Sequence, residues 1–281
     1  MSYYSRLEHA FLNAPRLPLS RLSRYVLISD CHRGNGTSND NFLKNQNLYF
    51  TALKYYYEKG FTYIELGDGD ELWENRRISQ ITEIHSNVFW LLSLFYKQNR
   101  LYLLYGNHDM EKKKTPQCLE SLFPGLIFHE GIILEDCRHN NSLYLTHGHQ
   151  ADALNSSLWR LARFLVRFLW KPMERFGVLD PTSAAKNYTC KEKTERRLCH
   201  FAAKENKPLI CGHTHRPMLN ADSPFYMNTG SCVHPRCITC IEIEGISLTL
   251  VKWTLDTRND RTLYVAREVL SKVILNTGSP V

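Results

Sequence analysis

Five short clusters of Asp, Asn and His, each following an apolar or β-branched run, constrain this chain more than any other feature. They are Asp30-Cys31-His32, Gly67-Asp68, Gly106-Asn107-His108-Asp109, His147-Gly148-His149 and Gly212-His213-Thr214-His215. The runs before them, at 25–28, 61–64, 101–104, 142–145 and 208–211, have the length and composition of buried strands. Each cluster is therefore expected at the carboxyl end of a strand, where a rigid element fixes the loop that carries the chemistry. Asp, Asn and neutral His are oxygen and nitrogen donors that suit Mn, Fe, Zn, Co or Ni, and one carboxylate can bridge two ions about 3.5–4 Å apart. The five clusters together read as a two-metal hydrolase.

The rest of the chain limits its class. Its 281 residues, 43% hydrophobic, are ample for a single α/β core, with no linker, repeat or low-complexity run. The stretch Tyr55-Tyr56-Tyr57 is expected on a helix packed against the sheet. The chain begins Met1-Ser2-Tyr3-Tyr4-Ser5-Arg6 without an apolar signal region, so a cytoplasmic location is expected. Nine cysteines, an odd number, are expected as reduced thiols. Cys232, Cys237 and Cys240 with His234 suggest a structural zinc, but residues 237–243 alternate like a strand, which puts Cys237 and Cys240 on opposite faces. A net charge of +7 favours anionic partners: a phosphorylated substrate, an anionic membrane surface or nucleic acid.

Much of that charge lies between the last two clusters. Residues 158–171 read as one long amphipathic helix, with Arg160, Arg163, Arg167 and Lys171 along one face and leucines, phenylalanines and tryptophans on the others. Such a helix suits an anionic lipid surface, or a lid that holds an acyl chain while its arginines meet phosphate. A cap helix packed on the domain, or a dimer contact, fits the pattern equally well. The charged stretch 186–205 reads as a second, exposed lid helix. Its Arg196 is a candidate phosphate contact, with a solvated helix face as the plainer alternative.

The five clusters, in this order, resemble the calcineurin-like metallophosphoesterase superfamily, whose pattern runs Asp-x-His, Gly-Asp-x-x-Asp/Glu, Gly-Asn-His-Asp/Glu, Gly-His and Gly-His-x-His. The resemblance implies a four-layer α/β/β/α sandwich, here one domain with a helical lid insertion at about 151–206. It implies that Asp30, His32, Asp68 and His215 hold one divalent ion and that Asp68, Asn107, His147 and His213 hold a second. Manganese is the first expectation, with Fe, Zn, Co or Ni as alternatives. His108 would face the substrate phosphate as transition-state stabiliser or general acid, with Asp109 as its orienting partner or else a solvated turn residue. His149 is either packed in its loop or a polar contact near the second ion, and Cys31 is a small buried filler.

The segment Leu66-Gly67-Asp68-Gly69-Asp70-Glu71-Leu72-Trp73 is further similar to the Gly-Asp-x-x-Glu-x-Trp motif of bacterial UDP-2,3-diacylglucosamine pyrophosphohydrolases, as is Gly212-His213-Thr214-His215-Arg216-Pro217. The chain departs from them at His108, where they commonly carry Arg, and at His149, where they carry an acidic residue. The expected activity is hydrolysis of a phosphodiester or pyrophosphate bond, in a lipid-linked or sugar-nucleotide substrate, by a cytoplasmic protein that can sit at the inner membrane face. The alternatives are a phosphomonoesterase, a protein or nucleotide phosphatase, a non-catalytic metal-binding scaffold, and a nucleic-acid module using the basic lid. The last is disfavoured, because the lid's Trp and Leu content suits lipid better.

Overall fold

Strands buried almost continuously, because both of their faces are covered, lie in two sheets packed face to face. The computed structural model describes residues 1–37, 40–75, 77–113, 119–136, 141–152, 156, 159–166, 168, 187–220 and 225–275. The smaller sheet has the order β1 (Arg16–Pro18), β6 (Gly131–Asp136), β7 (Asn141–Thr146), β8 (Leu209–Cys211), β9 (Tyr226–Asn228). In the larger sheet β2 (Arg24–Ile28), β3 (Thr62–Glu65), β4 (Leu101–Leu104) and β5 (Phe128–His129) pair in parallel. Three antiparallel strands, β10 (Cys237–Glu244), β11 (Ser247–Thr257) and β12 (Leu263–Ile274), extend it from β2.

Side chains on successive strand residues point to opposite faces, and this assigns each apolar residue to a layer. Leu27, Ile64, Leu104 and Ile241 of the larger sheet meet Ile132, Leu134, Leu145 and Ile210 of the smaller one between the sheets. Their neighbours Val26, Ile28, Tyr63 and Leu103 turn outward into the core shared with α2 (Gln46–Glu58), α3 (Ile78–Ile84) and α4 (Ser86–Lys97), where Tyr49, Tyr56, Ile81, Leu92 and Phe95 close that face. Tyr55, Tyr56 and Tyr57 indeed lie on α2 against this sheet. On the far side Ile133, Leu209 and Tyr226 pack on Leu7 and Phe11 of α1 (Tyr3–Leu12). The four layers are thus α/β/β/α. A one-residue slip in any of these strands would exchange its two faces, so the pattern also fixes register.

One element differs from expectation. The helix α6 (Tyr188–Glu205) is no exposed lid: Leu198, Phe201 and Ala202 are buried against α1 and β8 and complete the fourth layer. Its apolar stripe at i, i+3, i+4 is short, and the surrounding Lys, Arg and Glu mask it in a composition-based reading. Asn187 caps it by accepting the Cys190 N–H, and Asn206 ends it at φ +51°. The amphipathic segment contains the helix α5 (Trp159–Leu165). Residues 158, 167 and 169–171, Arg167 among them, lie outside the described residues. Among the described residues no helix is long and apolar enough to cross a membrane.

Candidate metal centre

The loops that leave β2, β3, β4, β7 and β8 bring Asp30, Asp68, Asn107, His147 and His213 to one rim of the sandwich. Asp30, His32, Asp68, His213 and His215 all have positive φ, between +49° and +68°. The left-handed conformation costs an ordinary L-residue about 1–2 kcal/mol, so five such residues must be held by their surroundings. Backbone bonds do part of this: Asp30 N–H to Gly67 O at 3.1 Å, His32 N–H to Asp68 O at 2.9 Å and Gly212 N–H to His147 O at 3.0 Å. Gly106 does another part, because a Cβ there would collide with the Asp68 carboxylate and backbone nitrogen.

Three groups of donors result, one of them His32, Glu71 and His108, and the other two hold the expected ligands. In the first of these two, His215 Nε2 lies 3.1 Å and His32 Nε2 3.9 Å from Asp30 Oδ1, and the two imidazole nitrogens are 3.3 Å apart. In the second, the donor atoms of Asp68, His147 and His213 lie within 4.8 Å of one another, and Asn107 Oδ1 is 3.2 Å from His147 Nε2. Asp68 Oδ2 stands between the groups, 3.3 Å from His147 Nε2 and 3.8 Å from His32 Nε2. The residues fit two divalent ions on chemical grounds. Donors separated by 3.1–3.9 Å are spaced as atoms that share an ion at about 2.1 Å each. The buried His213 Nε2 has no hydrogen-bond partner among the described residues. The Nδ1–H of His147 donates to Leu66 O at 2.7 Å, which fixes the tautomer that leaves Nε2 free to ligate.

His108 sits against this centre. Its Nδ1 is 2.7 Å from Glu71 Oε1, its backbone N–H donates to Asp68 Oδ1 at 2.8 Å, and its ring stacks on Trp73 with centroids 4.1 Å apart. The other Glu71 oxygen lies 2.8 Å from His32 Nδ1, so one carboxylate orients both a candidate ligand and the candidate acid. This corrects the expectation for Asp109. Its side chain turns away from His108 and accepts the backbone N–H groups of Gly69 at 2.9 Å and Asp70 at 3.2 Å. It is buried, not a solvated turn residue.

Burial and charge set the protonation of the cluster. Burial alone would raise Asp68 and Asp30, but neighbouring histidines, His147 for Asp68 and His215 for Asp30, hold both below the usual carboxylate range. Burial likewise opposes protonation of His147, yet Asp68 and Asp30 outweigh it and lift its pKa to about 9. His108 rises to about 9 in the same way, with Glu71 as the strongest opposing charge. His213 instead falls to about 4, through burial and then the charge of His147. Burial also drives His149 well below its ordinary value, and its ring packs 5.4 Å from His147.

Arg163 pairs with Glu111 and lies 5.5 Å over the Trp159 ring, and Arg160, exposed, lies 5.7 Å over the same ring. Arg196 is exposed on α6. Trp159 and Ala162 of α5, with Val166 just after it, pack on Trp73. Glu71 and Trp73 are the site residues that sequence reasoning did not assign, although the Gly-Asp-x-x-Glu-x-Trp spacing carries both. Glu195 of α6 is another: it accepts from Thr214 Oγ1 at 3.0 Å and pairs with Arg216 at 3.1 Å, bracing the last His loop. Among the described residues no cysteine joins a candidate ligand group.

Similar solved folds include an archaeal phosphodiesterase, 17% identical over 88% of this chain and 99% of that one, with a TM-score of 0.37. Vps29 from Chaetomium thermophilum is 14% identical over 91% and 98% of the two chains, with a TM-score of 0.45. Vps29 from Entamoeba histolytica is 15% identical over 88% and 99%, with a TM-score of 0.41. No curated protein matches the chain. The sequence model of calcineurin-like phosphoesterases matches residues 23–217, a span that contains all five clusters and the donor groups. The chain belongs to the calcineurin-like phosphoesterase family.

Proposed function

We propose that this protein is a dinuclear-metal-dependent hydrolase of a phosphodiester or pyrophosphate bond, acting on a lipid-linked or sugar-nucleotide substrate. The observation that carries the reading is the pair of donor groups, Asp30/His32/His215 and Asp68/His147/His213, with the Asp68 carboxylate between them. Asp30, His32, Asp68 and His215 would hold one ion and Asp68, Asn107, His147 and His213 the other, Mn²⁺ being the first choice among Mn, Fe, Zn, Co and Ni. When bound, two such ions neutralise phosphoryl oxygens and lower the pKa of water at the site.

The chain's own residues supply the rest. His108, its pKa near 9, carries a proton at neutral pH, and Glu71 and Trp73 fix its ring. It is placed to donate to the developing charge on phosphate or to the leaving oxygen. On α5 the side chains of Leu161 and Phe164 are exposed beside the face that covers Trp73, and the ring of nearby Phe168 lies tilted at 5.0 Å from that of Phe164. That apolar surface supports a lipid-bearing substrate, of the kind handled by UDP-2,3-diacylglucosamine pyrophosphohydrolases, presented at an anionic membrane face.

The test compares bis-4-nitrophenyl phosphate, 4-nitrophenyl phosphate and a UDP-sugar pyrophosphate as substrates of Mn²⁺-loaded protein, with Asp68→Asn beside the wild type. Faster turnover of the diester or the pyrophosphate, abolished in Asp68→Asn, is the expected result. Preference for the monoester would replace the reading by a phosphomonoesterase.

A further inference from the structure

Beneath the loop that carries Asp68 lie five ionisable side chains sealed from solvent, Arg33, Glu65, Asp70, Asp109 and Lys112, none more than 1% exposed. Arg33 donates to both Glu65 oxygens at 2.8 and 3.0 Å and to Asp70 Oδ1 at 2.7 Å. Lys112 Nζ lies 2.7 Å from Asp70 Oδ2 and 2.7 Å from Asp109 Oδ1, joining the two carboxylates. A buried ion pair is commonly no more stabilising than apolar residues of the same volume, so stability alone does not account for such a network.

Its contacts show where it acts. Asp109 holds the N–H groups of Gly69 and Asp70, while Gly69 O accepts from Arg33 N–H and Arg33 O accepts from Glu71 N–H, both at 3.0 Å. The segment 68–71 is thereby gripped along its length, with Asp68 in the left-handed conformation at φ +51°. At one end the segment presents Asp68 to both groups of expected ligands, and at the other Glu71 to His32 and His108. Without Lys112 two neighbouring buried carboxylates would face each other with like charge, and the grip of Asp109 on the segment would be set against that repulsion.

We propose that Lys112 is a positioning residue for the metal centre: by bridging Asp70 and Asp109 it holds segment 68–71 so that Asp68 lies between the two ions and Glu71 between two histidines. The inference rests on the two-ion reading of the site. Its test is Mn²⁺ affinity, measured on metal-stripped protein by the electron paramagnetic resonance signal of free Mn²⁺. Lys112→Met and the milder Lys112→Gln are compared with Leu92→Ala, a core change in the layer of α4. Outer partners of metal ligands typically contribute about 10–100-fold in affinity, and a loss of that size is expected in Lys112→Met, with a smaller loss in Lys112→Gln. Leu92→Ala, read well below its melting temperature, should bind as the wild type does. Affinity within twofold of wild type in a folded Lys112 variant would overturn the proposal, as would an equal loss in Leu92→Ala. Absence of Mn²⁺ binding by the wild type would instead overturn the metal-centre reading, before any variant is compared.

Discussion

His108 is held on two sides, by Glu71 at Nδ1 and by Trp73 against its ring, and this decides how its variants should behave. His108→Gln should lower kcat by about 10²–10⁴-fold while leaving Mn²⁺ affinity near wild type, because general acid catalysis is worth that much and the ring is not among the seven candidate ligands. Glu71→Gln should lower kcat and weaken Mn²⁺ binding together, since the same carboxylate also orients His32; parallel kinetics and metal titration separate the two patterns. The raised pKa of His147, about 9, gives a second expectation. A ligand must shed its proton before it binds metal, so below that pKa the proton competes. Affinity should therefore rise with pH, by up to about tenfold per unit for one proton released, and level off above pH 9. A pH-independent affinity would contradict it. The seven candidate ligands were legible as residue types because Asp, Asn and His recur at strand ends. The partner of His108 was not: chain adjacency pointed to Asp109, whereas the loop turns that carboxylate inward and brings Glu71 in from the neighbouring loop.

At the scale of elements, α6 carries the clearest departure. Its charged surface reads as a lid, yet Leu198, Phe201 and Ala202 are part of the layer shared with α1. Phe201→Ala should therefore cost about 3–5 kcal/mol of stability, as truncation of a buried aromatic does, visible as a lower urea midpoint at unchanged slope. A cost under about 1 kcal/mol would fit an exposed helix instead. Glu195, on the same helix, ties it to Thr214 and Arg216 beside His213 and His215. The strands were easier to read because short, nearly continuous apolar runs, as expected of strands buried on both faces, coincide with their limits. A helix whose apolar stripe spans little more than one turn gives no comparable signal, and only packing against α1 reveals its inner face.

The whole molecule presents one rim where strand ends, metal-type donors and the α5 helix meet, under a net charge of +7. If Leu161 and Phe164 engage the acyl part of a substrate, Leu161→Ser/Phe164→Ser should reduce turnover in anionic vesicles or on lipid-linked substrates and spare bis-4-nitrophenyl phosphate; equal loss on both would count against the lipid-facing role. The convergence of five strand-end loops was readable from the clusters themselves, whereas the four-layer order followed only from the family resemblance that they carry. The substrate was not readable, since the determinants of a lipid or nucleotide lie in side chains that many folds share. The decisive measurement is a Mn²⁺ titration of metal-stripped protein with bis-4-nitrophenyl phosphate hydrolysis recorded at each addition. A working dinuclear centre requires two ions bound per chain, with turnover appearing as the second is taken up and absent in Asp68→Asn. Fewer than two ions bound, or turnover indifferent to metal, would contradict it.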